Sequence, residues 1–316
     1  MSRQIPLAEI DPAAVPPTLP RPWMRWRFSL RALLLLLLLI SLGIGLPRQR
    51  SISQHQAARR LQTIGAEFVF DSEEQVQSTL HWLVFGDNRY DFVYRISFND
   101  VTLSAQDVAQ LRLFPELDEL RLNGCGLNSQ ATGKLGSLHN MRGLRVEGGS
   151  LQELDDVAWE QLNQLQWLVL EDIDLSQLNC RRLSALQNCT TLSLVSSQLT
   201  DAQLQQLKMP QLNMLRLAGS HLSDAGLTFL AHATELQFFT VNDSQVSGSG
   251  LRLLHPVAEL LALNLERSAV NSAGLSEIAK LRALTTLQVR STPLTPEDIV
   301  KFKAAHPNCA VLADRK

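Results

Sequence analysis

Groups able to do chemistry are scattered along this chain in a way that builds no catalytic constellation. Its seven histidines lie apart, and His81, beside Trp82, has no second His, Cys or carboxylate at a ligand spacing. There is no GxSxG elbow, no HExxH, and no phosphate- or dinucleotide-binding glycine pattern. Gly148-Gly149 and the glycines of 248–250 read as turn residues at positive φ. The pairs Asp155-Asp156 and Asp172/Asp174 lack the further oxygen ligands that a metal needs, so they read as a helix start and a solvated turn. Catalytic, cofactor-binding and metal-ligating residues are all expected to be absent, and the chain reads as a non-enzyme. Cys125, Cys180, Cys189 and Cys309 include no CxxC pair. Buried thiols are the plain reading, with Cys180–Cys189 the one pairing worth testing as a disulfide. Asn188 and Asn242 stand in N-x-S/T, which matters only in a glycosylating host.

With chemistry excluded, recognition is what remains, and its elements are set by composition and repeat. A chain of 316 residues that is 45% hydrophobic can bury a large core. A net charge of -2 and a pI near 6.4 give no reason to expect a nucleic-acid partner.

The apolar positions repeat. Leu212, Leu215, Leu217 and Leu222 recur as Leu117, Leu120, Leu122 and Leu127, and the first column runs Val93, Leu117, Met141, Leu165, Cys189, Leu212, Leu236, Leu260, Leu284. The spacing is 24 residues with one step of 23, which makes nine repeats. Within each, LxL alternates as a strand does, and the later leucines fall at helical spacing. Ser104, Asn128, Ser176, Thr200, Ser223, Ser247, Asn271 and Thr295 follow the last strand-turn leucine and are expected to cap helices; Gln152 is the weak member of that column. Thr295-Pro296-Glu297-Asp298 is the sharpest start, with proline at the first helical position. Strands inside and helices outside impose an arc with a concave parallel sheet.

These columns resemble leucine-rich repeat proteins, and the repeat length is similar to the cysteine-containing or ribonuclease-inhibitor-like subclasses. The resemblance implies an α/β solenoid over residues 93–307. The family's Asn or Cys column reads Val101, Cys125, Gly149, Ile173, Ser197, Ser220, Ser244, Ser268 and Thr292, so a hydroxyl ladder between turns is expected in its place. A basic start, an apolar segment, RLQTIGAEFVFD, HWLVFGD and then the repeats together resemble membrane-anchored leucine-rich repeat proteins of bacteria.

The flanks divide by composition. Residues 1–27 are proline-rich and expected to be a disordered tail, and the PxxP of PPTLPR reads as linker before ligand. Residues 28–46 contain the unbroken apolar run Ala32–Leu46. That length falls between a signal h-region and a full span, and an uncleaved signal-anchor is preferred over a cleaved signal. Arginines on the two sides nearly balance. Arg25, Arg27 and Arg31 lie closest to the run, placing the N-terminus in the cytoplasm and the repeats on the non-cytoplasmic side of a single pass. Trp23 and Trp26 suit a membrane interface. Residues 47–60 read as a juxtamembrane linker or helix, and 61–92 as an N-terminal capping unit. Within this stretch a helix closes at Gly65, a short strand AEFVFD follows, and a second helix comes from EEQVQSTLHWLVFG. Residues 308–316 supply a closing strand and tail.

A solenoid's information lies where the repeat does not dictate the residue. On the concave face this selects Trp167, Val169, Val195, Met214 and Phe238, with Arg216 among them and Arg121 and Arg145 at one side. Exposed Trp, Phe and Met rimmed by arginine have the composition of a protein-binding patch. The expectation is a membrane-tethered, non-catalytic recognition or scaffold module with no cofactor. Its partner would be a protein or an envelope glycan. The competing readings are a substrate-recognition subunit of an enzyme or ligase-type complex, and a structural envelope component.

Overall fold

The computed structural model describes residues 30–70, 89–151, 157–195, 199–219, 222–257 and 259–314. The chain forms two compact units, Met1–Leu46 and Pro47–Lys316. Helix α1 is bounded by Leu30 and Thr63. In the first unit, Leu34, Leu35, Leu37, Leu38 and Leu39 are each more than half exposed. Several other side chains of the apolar run, the tail 1–27, Trp23 and Trp26 lie outside the described residues. Among the described residues no helix is long and apolar enough to cross a membrane.

In the second unit an eleven-stranded sheet runs in sequence order. β1 (Glu67–Phe70) is antiparallel to β2 (Val93–Asn99). The parallel strands that follow are β3 (Glu119–Asn123), β4 (Gly143–Glu147), β5 (Trp167–Glu171), β6 (Thr191–Val195), β7 (Met214–Ala218), β8 (Phe238–Asn242), β9 (Ala262–Asn264), β10 (Thr286–Gln288) and β11 (Ala310–Leu312). Register is unbroken from coil to coil, pairing for example Leu215 with Leu192 on one side and Phe239 on the other. The repeat leucines therefore stack into one core in which Leu120, Leu168, Leu192, Leu215 and Leu222 are fully buried. Each such side chain stabilises by about 1.5–3 kcal/mol, and no isolated coil has a neighbour against which to bury it.

The first end of this core is closed by the docked part of α1. Ser51, Gln54, Ala57, Ala58 and Leu61 form its buried stripe, at the three- and four-residue steps of one helix face. Gln54 donates to Asp91 Oδ1 at 2.8 Å and to the Leu113 carbonyl at 2.9 Å, and Arg60 meets Asp107 at 3.1 Å. The helix thus packs onto the fold from Ser51 onward, in keeping with the helical form of the stretch 47–60. At Gly65, φ is +92°, and Ala66 N–H returns to the Leu61 carbonyl at 2.9 Å while Gly65 N–H returns to Gln62 at 3.0 Å, a Schellman closure. Beyond it Phe68, Tyr90 and Phe114 pack with centroids 5.5 to 6.1 Å apart. The expected second helix, His81 and Trp82 lie outside the described residues.

Outer segments are shorter than the sequence implied. They are α2 (Ala105–Gln110), α3 (Ser129–Lys134), α4 (Cys180–Leu183), α5 (Asp201–Leu204), 3-10 helices Asp224–His232 and Gly250–Leu254, α6 (Ser272–Ile278) and α7 (Pro296–Ala305). Ser104, Asn128, Thr200, Ser223, Asn271 and Thr295 cap their helices with side-chain bonds. Ser176 does not. Asp174 holds its N–H in a turn at 2.8 Å, and α4 starts four residues later at Cys180, capped by Asn179. Ser247 also caps nothing, because its N–H and hydroxyl both bond to Asp224 of the preceding coil, at 2.8 and 2.9 Å.

The turns hold a second correction. The hydroxyls of Ser244, Ser268 and Thr292 donate to their own strands, to the carbonyls of Val241, Leu265 and Val289, so they form no ladder between coils. Cys125 does reach the previous coil, its Sγ lying 3.4 Å from the Phe98 carbonyl. The regular tie is a column of left-handed residues, Asp100, Gly124, Gly148, Asp172, Gly219, Asp243, Arg267 and Ser291, with φ between +53° and +64°. The N–H groups of Asp100, Gly124, Gly148, Asp172, Asp243 and Arg267 each bond to a carbonyl of the next coil at 2.7 to 3.1 Å. Ser291 bonds instead to Asp314 Oδ2 at 2.7 Å. Gly149 is at φ +75°, as expected. The glycines of 248–250 are absent from the positive-φ set, and Gly250 serves close approach, since a Cβ there would lie 2.7 Å from Asp224 Cα.

Candidate functional site

The face of the long sheet turned away from the core is built from alternate residues of each strand, so its geometry follows from register. Its entering row reads Trp167, Thr191, Met214, Phe238, Ala262 and Thr286 across neighbouring strands. Met214 and Phe238 face each other across β7 and β8, 41% and 37% exposed; Val69 opposite Arg95 and Leu312 beside Gln288 are also exposed on this face, at the two edges of the sheet.

Two other residues of the expected patch contribute less. Val169 is 6% exposed, in register between Arg145 and Ser193. Trp167 is half-buried because its ring lies over Gly143 of β4: a Cβ on that glycine would sit 2.0 Å from Trp167 Cζ2. The indole thus leans away from Met214. Val195 is half-buried at the end of β6.

The arginines are not a free cationic rim. Glu119, 2% exposed, is held between Arg95 and Arg121, and Arg145 pairs with Glu147. Arg216 reaches across β6 to Glu171 Oε1 at 2.6 Å, and the same oxygen accepts from Ser193 Oγ at 2.8 Å. Arg290 lies 3.6 Å from Glu266. Sequence placed these residues in columns but did not pair them, since Glu171 and Arg216 lie on strands that are not neighbours. Beside Met214 and Phe238 the cation Arg216 is matched by Glu171, whereas Glu119 is shared by two arginines farther along the sheet.

Among the described residues no group of three or more His, Cys, Asp or Glu could hold a metal. Burial pushes the Cys189 thiol up to about 12 and raises those of Cys125 and Cys309. All four cysteines are buried. A cleft of about 770 Å³ is lined by Arg50, Asp91, Tyr94, Glu116, Asp118 and Arg142. Its arginines are already engaged, Arg50 with Asp91 at 3.3 Å and Arg142 with Asp118.

Coils of about 24 residues, each contributing one strand to a parallel sheet and a short helical segment behind it, define the leucine-rich repeat fold. Among solved structures the chain is similar to internalin C2 of Listeria monocytogenes, at 18% identity and a TM-score of 0.45, covering 72% of this chain and 83% of that one. It is also similar to a leucine-rich repeat protein of Leptospira interrogans, at 18% identity and a TM-score of 0.48, covering 68% of this chain and 58% of that one. No protein-family model matches the chain, and no curated protein matches it.

Proposed function

We propose that this chain is a non-catalytic recognition module that binds a protein partner on the open, concave face of its repeats. The observation that carries the reading is the in-register pair Met214 and Phe238, exposed on adjacent strands where the neighbouring charges are satisfied internally. Large side chains fixed on a rigid sheet lose little entropy on binding, so they concentrate affinity. Trp167 and Val195 border the patch, and Arg216 fixes its edge. The apolar run of residues 28–46 supports a single-pass membrane anchor, as in the bacterial membrane-anchored repeat proteins this arrangement resembles, and Arg25, Arg27 and Arg31 nearest the run favour repeats on the non-cytoplasmic side.

In-cell crosslinking of the full chain tests the binding reading. Met214→Ala with Phe238→Ala is expected to lower capture of the crosslinked partner at least about tenfold, equivalent to roughly 1.4 kcal/mol, while the thermal midpoint stays within about 2 °C. An equal loss of folding refutes the surface role. Protease shaving of intact cells against lysates tests the orientation, since repeats protected in intact cells would place them on the cytoplasmic side.

A further inference from the structure

We propose that Met214 is an oxidation site through which hydrogen peroxide weakens partner binding. Resting on the binding reading above, this inference adds a control to the same surface. Met141 and Met209 are each 1% exposed in the core, whereas Met214 is 41% exposed on β7, so among the described methionines one thioether is open to a solute oxidant. It stands in register between Thr191 and Phe238. The nearest cation along its strand, Arg216, is engaged by Glu171 at 2.6 Å.

A sulfur lone pair attacks one peroxide oxygen. The S–O bond forms as the O–O bond breaks, sulfur is oxidised by two electrons, and the peroxide is reduced to water, the proton of the transferred hydroxyl passing to the departing hydroxide. The product replaces an apolar, flexible thioether with a polar sulfoxide. Against Phe238 and an apolar partner side chain, its oxygen becomes a strong acceptor that must give up water, and the Thr191 hydroxyl beside it replaces only part of that hydration.

Hydrogen peroxide treatment of the purified full chain, followed by peptide mass mapping, tests the site. Met214 is expected to gain one oxygen at least about tenfold faster than Met141 and Met209, and equal rates would overturn the assignment. Crosslinking in cells before and after a peroxide pulse then tests the control. The ratio of capture after the pulse to capture before it is expected to fall in wild type and to hold in Met214→Leu, which cannot form a sulfoxide and is read against its own baseline; an equal change of the ratio in both overturns the control. If capture before the pulse is indifferent to Phe238→Ala, the concave-face reading itself fails, and that outcome is separate from the mass map.

Discussion

At the scale of single residues, backbone space decides more than side-chain identity. Gly149 sits at φ +75°, and a Cβ there would lie 2.1 Å from the Cys125 carbonyl oxygen. Gly149→Ala is expected to destabilise by about 2 kcal/mol or more, read as a lowered urea midpoint. Charge adds a pH dependence. Burial pulls the Asp224 carboxyl upward, but bonds from Ser249, Ser247 and the Gly250 N–H outweigh it and hold the group below its ordinary value. Asp107 is lowered in the same manner by Ser104 and Arg60, against its burial. Because the folded forms bind protons less readily than the unfolded chain, their contribution is full above the unfolded carboxyl value near pH 4. It is lost as pH falls through the lower folded values. Urea midpoints measured from pH 7 down to 3 should drop most steeply below about pH 4, and Asp224→Asn should flatten that drop. Cys189, pushed up to about 12 by burial, should resist thiol reagents at pH 8 in the folded protein and react once denaturant is added.

At the scale of elements, the strands were legible and their turns were not. Leu at each core column dictates a two-residue alternation whatever lies between, so β2 through β10 fall where the spacing puts them. Thr295-Pro296-Glu297-Asp298 likewise delivers its capping box and proline start. The left-handed column escaped notice because Asp, Gly, Arg and Ser share no side-chain chemistry; what they share is a backbone angle imposed by stacking. Ser176 misled for the opposite reason: Asp174 took its N–H first. Trp167 lies in the open-face row, and its half-burial depends on the missing Cβ of Gly143, a neighbour 24 residues away. Asp314→Ala removes the carboxylate that accepts from Ser291 N–H. Hydrogen exchange at Ser291 should accelerate at least about tenfold while β7 and β8 are unchanged.

At the scale of the whole second unit, stability is a sum over neighbours, so damage should stay local. Ala58 is fully buried on the docked face of α1, where a carboxylate has no partner and the helix must leave. Ala58→Glu is expected to strip exchange protection from β1 and β2 while β8 and β9 keep theirs, and a uniform loss would show that the array unfolds as one. The patch of Met214 and Phe238, six to seven strands from that end, should survive the lesion. The columns were legible in the sequence, but which of their members face water depended on neighbours such as Gly143 beneath Trp167.

The turn column also bears on how such a chain can change in length. Each left-handed N–H that reaches forward finds a main-chain carbonyl in the next coil, whatever residues either coil carries. A tandem duplication of one repeat would therefore be accepted in frame anywhere between Asp100 and Arg267, with no new cap to invent. At Ser291 the acceptor is a side chain, Asp314 Oδ2, in place of a main-chain carbonyl. A duplication placed between β7 and β8 would separate Met214 from Phe238 by one further strand, about 4.8 Å. Gain or loss of a single repeat thus gives inheritance a way to alter partner choice in one step while every coil keeps its fold.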